Sequence, residues 1–249
     1  MTNSRKVVLL RVGIDTGSGG ILGPIFDERE FEFIPIEAED DRLGRTYGKK
    51  RGRHGRKFID YFPDGRKAQM QDAFLHDDPE FETFTYGDPT SPKKRLRELK
   101  RGDLLVFYAG LEGWGQCKTP RGLYIIGYFV VKHAGNYQDL KREGSLKPFA
   151  KNWHVLNKDT KGKLSKRGHW TDLVLVKGGQ DSRLLKYAEK ISADKKGIDR
   201  GGHPVYVLDP KMKKHFGNFT KLNAIQRSTP RRVSPEFCKS AAEFVMSLK

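Results

Sequence analysis

The chain has 249 residues, 36% of them hydrophobic, and its 48 Lys+Arg against 31 Asp+Glu leave a net charge of +17. That composition supports a folded core and excludes a membrane-spanning helix, because no apolar run approaches the ~20 residues one needs. Cys117 and Cys238 are too few for a disulfide scaffold or a cysteine-rich metal knuckle and fit a reducing cytoplasm, and the apolar stretch 7–10 is too short for a secretory signal.

Residues 6–12 are apolar and β-branched, as in a buried strand. The glycine-rich stretch 13–20 follows as a loop, and 31–36 (Phe-Glu-Phe-Ile-Pro-Ile) reads as a second strand. Glycine and charge then interrupt the apolar pattern over 42–57, which reads as a flexible excursion from the fold, and the pattern resumes at 58–62. Ser91-Pro92 signals a helix start, since serine accepts from exposed amides and proline suits the first helical position. A helix is therefore expected over 92–101, before Gly102. Strands are expected at 103–109 and at 122–131, the longest and richest in aromatic and β-branched residues, with two more at 171–177 and 203–208. A helix is expected over 183–191. Another starts at Ser234-Pro235, with Phe237, Ala241, Phe244, Val245 and Leu248 on one packing face. Strands outnumber helices without a regular βαβ alternation, and no repeat or linker divides the chain. The expected fold is one α+β domain, 1–249, around a curled mixed sheet with flanking helices.

In the basic excursion, Lys49, Lys50, Arg51, Arg53, Arg56 and Lys57 surround His54 with glycine and no apolar residue. Such a run either lies solvated or meets a polyanion. On a chain this basic, nucleic acid or a nucleotide is the expected partner, because each neutralised phosphate releases condensed counterions. Part of the charge is also what a thermophilic surface carries. These six side chains are the expected phosphate-binding set, although charge alone reads no bases.

Specific chemistry has to come from elsewhere. The loop 13–20 follows a strand, as phosphate-binding loops do, but no Gly-Lys-Ser/Thr follows and 21–24 opens no helix. Asp15, Thr16 and Ser18 beside the amides of Gly19 and Gly20 could bind a polar ligand; an ordinary turn explains the glycines equally. His76-Asp77-Asp78 offers acid/base or metal-ligand groups, and a capped turn with surface carboxylates is the plain alternative. Adjacent residues cannot all converge on one ion, and His133, His154, His169 and His203 lack paired ligand spacing. No metal site is expected, and no motif names a cofactor. A Gly-x-Ser-x-Gly elbow is missing, and Cys117 has no base beside it, which leaves a free thiol. Tyr108, Trp114, Tyr124, Trp153 and Trp170 interleave with Lys118, Arg121, Lys151 and Arg167. Stacking a base on such a ring is worth ~1–3 kcal/mol. Trp114, between Gly113 and Gly115, reads as a stacking platform rather than core.

Two resemblances rest on these motifs. The strand Gly-Asp-Leu-Leu-Val-Phe-Tyr at 102–108, followed by Gly-Leu-Tyr-Ile-Ile-Gly-Tyr-Phe-Val at 122–130, resembles the core of PUA-like domains, including the EVE and YTH branches. That resemblance implies a partly closed barrel and an aromatic-lined pocket for a flipped or modified base. More widely, the chain is similar to the third type of the nucleotide modification associated domain families of bacteria, archaea and phages. The matching pieces are 11–25 (Arg-Val-Gly-Ile-Asp-Thr-Gly-Ser-Gly-Gly-Ile-Leu-Gly-Pro-Ile), 75–79 (Leu-His-Asp-Asp-Pro), the 102–108 strand and, more thinly, 227–231 (Arg-Ser-Thr-Pro-Arg). That family opens on Arg/Lys-Gly-Phe-Asp-Ser-Ser, where this chain has Arg-Val-Gly-Ile-Asp and then Thr16 in place of serine. The resemblance implies that Arg11, Asp15, Ser18, His76, Asp78 and Arg227 converge from distant segments, with Tyr108 and Trp114 meeting a base. The expectation is a cytoplasmic nucleic-acid-binding protein that recognises a modified or flipped base. The alternative is an enzyme acting on nucleotides or nucleic acid, with His76, Asp15 and Asp78 as its acid/base groups.

Overall fold

A computed structural model of the chain describes residues 5–16, 19–157, 172–219, 222–225 and 229–249. In chain order the described strands and α-helices begin with β1 (Val7–Arg11), β2 (Gly23–Ile25), β3 (Ile36–Ala38), α1 (Asp64–Met70), β4 (Phe74–His76) and β5 (Thr85–Asp88). The middle of the chain supplies β6 (Leu104–Gly113), β7 (Gly122–Asn136), α2 (Tyr137–Arg142) and α3 (Trp153–Leu156). The remainder is β8 (Val174–Gly178), β9 (Arg183–Lys190), β10 (Gly197–Ile198), β11 (Pro204–Val205), α4 (Lys213–Phe216), β12 (Arg231–Arg232) and α5 (Pro235–Ser247).

The sheet grows outward from β6 and β7, an antiparallel pair running from Leu104↔Val130 to Leu111↔Gly122. Both strands read as continuous apolar runs because they are covered on both faces: Val106, Phe107, Ile125 and Ile126 are fully buried. Along one edge of β6, β1 lies parallel to its first half and β2 to its second. The glycine loop 13–20 therefore joins two strands that share that edge. On the far edge of β7, β9 pairs first and β8 takes over, with a register shift between Val131 and His133 at the handover. β5 pairs with β8 and β12 with β1, giving the order β12-β1-β6-β7-β8-β5. The result is a large mixed sheet with flanking helices. Its end strands β12 and β5 do not meet, so no closed barrel forms among the described strands. α5 packs Cys238, Ala241, Ala242 and Val245 onto the main core, with Phe237, Phe244 and Leu248 beside them, as its spacing predicts.

Several expectations change. Where a helix is expected over 183–191, Arg183–Lys190 form the strand β9. Leu185, Ala188 and Ile191 are buried three apart, which imitates a helical face. The spacing arises because the pairing with β7 shifts register between Ile125 and Gly127, and an open sheet edge overrides local preference. The expected helix over 92–101 is a 3-10 helix at Ser91–Glu98 with no side-chain cap and Leu96 as its one buried residue. A single apolar anchor gives an α-helix little to pack on. Residues 31–35 form no strand: Phe31 makes an isolated bridge to Ile25, and the strand starts only at Ile36, after Pro35, which has no N–H to give. Phe58–Tyr61 is a 3-10 turn. At 203–208 only Pro204–Val205 is a strand.

Two smaller clusters sit beside the main core. One gathers Ile14, Ile21, Ile34, Tyr47, Phe58, Ile59, Tyr61, Phe62, Met70 and Leu75. The other gathers Tyr137, Leu140, Phe149, Leu173 and Leu175. Between them β4, the turn that leaves it, β5 and α3 come together.

Candidate functional site

β4 ends at His76, and the turn after it carries Asp77 and Asp78. Residues two apart at a strand end point to the same side, so His76 and Asp78 face together while Asp77 turns away. The third group arrives from α3, where Asn152 caps the helix by accepting from the His154 N–H. His76 Nε2 lies 3.1 Å from His154 Nε2, and Asp78 Oδ2 lies 3.5 Å from His154 Nε2 and 4.0 Å from His76 Nε2. The Asp78 carboxylate also accepts from the Gly87 N–H of β5 at 2.9 Å and from Asn152 Nδ2 at 3.4 Å. The Asp78 and His154 side chains are only 2% and 5% exposed, and His76 at 19% is the open face of the cluster. Trp153 lays its ring 4.2 Å from that of His76.

Burial sets the charge state here. It pushes Asp78 up to about 7, against the pull of His154 and the Gly87 amide. Burial also holds His76 well below its ordinary value, and His154 and Arg45 push the same way. Asp77 rises to about 6 by burial despite Arg45 and Lys50. Arg45 bridges Asp77 at 3.2 Å and Asp41 at 3.0 Å, and the Arg42 N–H donates to Asn157 just past α3. The 41–45 loop, the His76 turn and α3 are thereby clasped together.

A second polar group lies at the glycine loop. Arg11, at the end of β1, pairs with Asp15 at 3.5 Å and stands opposite Tyr108 in β6. Tyr108 is fully buried, and burial raises its phenol above the ordinary range against the pull of Arg11 and Arg231. Gly20 has φ +77°, which favours glycine, and a Cβ there would come within 2.8 Å of the Arg66 guanidinium, which would have to shift. Gly19 lies against Ile14. The Ile14 N–H bonds to the Ile34 carbonyl, and Ile36 pairs with His76. Asp15 and His76 thus flank one short segment, each held in its own cluster.

The basic run is tied to the fold rather than loose. The Phe58 N–H bonds to the Lys50 carbonyl, the Gly52 N–H to Arg56 and the Gly55 N–H to Gly52, closing a tight loop. Arg51 Nη1 donates to the Gly55 carbonyl at 2.6 Å. Arg53 is exposed like its neighbours but folds back onto the domain, donating to the carbonyls of Phe31, Leu185 and Lys186 with its guanidinium 4.1 Å above the Phe31 ring. Arg56 lies 4.8 Å over the Trp114 ring. Trp114 is not the bare platform its glycine neighbours suggest: it is half-buried against Phe26 and Tyr61. Lys49, Arg51, Arg53, Arg56 and Lys57 are all exposed, Arg53 being the one whose donors go to carbonyls outside the loop, while Lys50 is half-buried and 3.8 Å from Glu82.

The sequence profile of a family described as nucleotide modification associated domain 3 matches residues 6–246. The chain belongs to that family. Comparison with curated proteins and with solved structures found no match. The nucleotide modification associated domain 3 match spans both polar clusters and the basic loop.

Among the residues singled out in this family member, His76 and Asp78 meet each other, Arg11 meets Asp15, and Tyr108 is buried beside Arg11. Ser18 and Arg227 lie outside the described residues, as do Arg167, His169 and Trp170. Cys117 and Cys238 are both free. Sequence reasoning missed the joining of His154 to His76, as well as Asn152, Gly87, Arg45 and Arg66. The Asn152-Trp153-His154 run carried a faint signal, a helix-capping asparagine followed by two rings.

Proposed function

We propose that this protein is an enzyme acting on a nucleotide in nucleic-acid modification, with the His76–Asp78–His154 cluster as its reacting centre and the basic loop as its phosphate clamp. One observation carries the reading: two imidazoles and a carboxylate from distant segments share one half-open cluster. Packing alone favours apolar residues at such depth. Trp153 beside His76 offers a face on which a base can stack. Lys49, Arg51, Arg56 and Lys57 hold the phosphate backbone, and Arg53 holds the loop. A base-reading role through Tyr108 and Trp114 has less support, because Tyr108 is fully buried and Arg56 covers the Trp114 ring. β6 and β7, whose sequences resemble the PUA-like core, form the platform behind the site in this reading. Its two free thiols suit a reducing cytoplasm.

The test is H76Q against wild type, incubated with duplex DNA, with RNA and with free nucleotides. The products are digested to nucleosides and weighed by mass spectrometry. The variant should keep nucleic-acid affinity within about 2-fold and lose about 100-fold or more in turnover. Equal turnover in the two proteins rules the enzyme reading out.

A further inference from the structure

We infer that His76, Asp78 and His154 hold one divalent first-row transition-metal ion, of zinc or ferrous type. Its remaining coordination positions open past His76 toward solvent. The inference deepens the reading above and rests on it for the substrate that would meet the ion; the site itself stands on geometry. The three facing donor atoms lie 3.1, 3.5 and 4.0 Å apart. Ligands held about 2.0–2.2 Å from one tetrahedral ion stand roughly 3.2–3.6 Å from each other, so a small movement of His76 closes the set. Two imidazole Nε2 atoms facing at 3.1 Å beside a carboxylate oxygen bring three lone-pair donors to one point. A cation placed there satisfies all three at once.

The support around the cluster is that of a built site. Asp78 is pinned by the Gly87 N–H and by Asn152, and the same asparagine caps the helix that presents His154. Outer groups that orient the ligands are what metal sites require. Two imidazoles with one carboxylate suit zinc with a free position, or non-haem ferrous iron, whereas magnesium and calcium prefer oxygen alone. His76 and Asp78 reach the ion because they are two apart at a strand end, and the third ligand lies 78 positions from His76. The sequence expectation of no metal site rested on paired spacing, which this arrangement does not use.

The full chain, stripped with a chelator, is titrated with Co2+ while its visible absorption is followed. Zn2+, anaerobic Fe2+, Mg2+ and Ca2+ are then added in competition. One ion per chain is expected, with Zn2+ or Fe2+ displacing Co2+, Mg2+ and Ca2+ failing to do so, and binding weakened about 100-fold or more in H76Q. H203Q, on an exposed histidine of another loop, should bind as wild type. Replacing buried Asp78 or His154 can unfold the chain, so H76Q decides, with its thermal melt confirming the fold. Absence of saturable binding, equal affinity in H76Q, or displacement by Mg2+ or Ca2+ overturns the site and leaves a hydrogen-bonded His–Asp cluster only. His76-dependent turnover that survives chelation sinks the metal and keeps the enzyme. A His76-dependent metal with turnover indifferent to H76Q keeps the site and sinks the enzyme.

Discussion

Arg53 shows how residue identity and residue role part company. Six cations read alike in 49–57, yet the Arg53 guanidinium spends its donors on the carbonyls of Phe31, Leu185 and Lys186 and sits on the Phe31 ring. It joins the basic loop to the segment before β3 and to β9. R53A should therefore lower unfolding stability by about 0.5–1.5 kcal/mol, the net range for hydrogen bonds that compete with solvent, measured by urea denaturation. It should leave the salt dependence of nucleic-acid binding nearly unchanged. A variant that folds as well as wild type but loses salt dependence would reverse these roles. Gly87 is the other single position with a sharp requirement. Its N–H holds Asp78, and a Cβ there would lie 2.9 Å from Asn152 Oδ1 and 3.0 Å from His154 Cδ2. G87A should cost about 1–3 kcal/mol by overpacking and displace His154 from the cluster, visible as a loss of turnover alongside a lower melting temperature.

As an element, the basic loop is a closed turn with its exposed cations on one short stretch. Lys49, Arg51 and Lys57 make no ion pair among the described residues, so they are available to phosphate. Replacing all three by alanine should flatten the plot of log affinity against log salt by about 0.9 for each duplex DNA phosphate no longer neutralised, with stability nearly unaffected. An unchanged slope in the triple variant would remove the loop from the interface. β9 teaches the complementary lesson. Its apolar residues fall three apart, the sequence pattern of a helix, and only the open edge of β7 makes a strand of it. β6, β7 and α5 needed no such help: unbroken runs of aliphatic and aromatic residues name the two strands as buried on both faces, and helical spacing names α5 and its buried face.

For the whole molecule, the sheet buries an aromatic core that carries polar ends. Burial pushes Tyr61 and Tyr124 up to about 12 and lifts Tyr47 and Tyr108 above their ordinary range. The folded chain keeps these protons where the unfolded chain loses its own near ~10. Their contribution to stability is thus intact below pH ~10 and is lost as pH rises through about 12. Absorbance at 295 nm should show these phenols ionising together with loss of the native circular dichroism. A single step near pH ~10 with the fold intact would contradict the burial. Phe107, fully buried and packed edge-on against Phe81 and Phe129, is the centre of that core. F107A should lose about 3–5 kcal/mol in urea denaturation.

Local pattern carried β1, β6, β7 and α5, the basic run at 49–57 and the motifs of the family, because apolar pattern and charge are written in neighbouring residues. The meeting of His76 with His154, the bonding of Arg53 to the carbonyls of Phe31 and β9 and the conversion of 183–190 into a strand came from tertiary structure alone. Each depends on which segments the sheet brings side by side. A polar side chain's role follows from what surrounds it after burial, and nothing in its immediate neighbours in the chain records that.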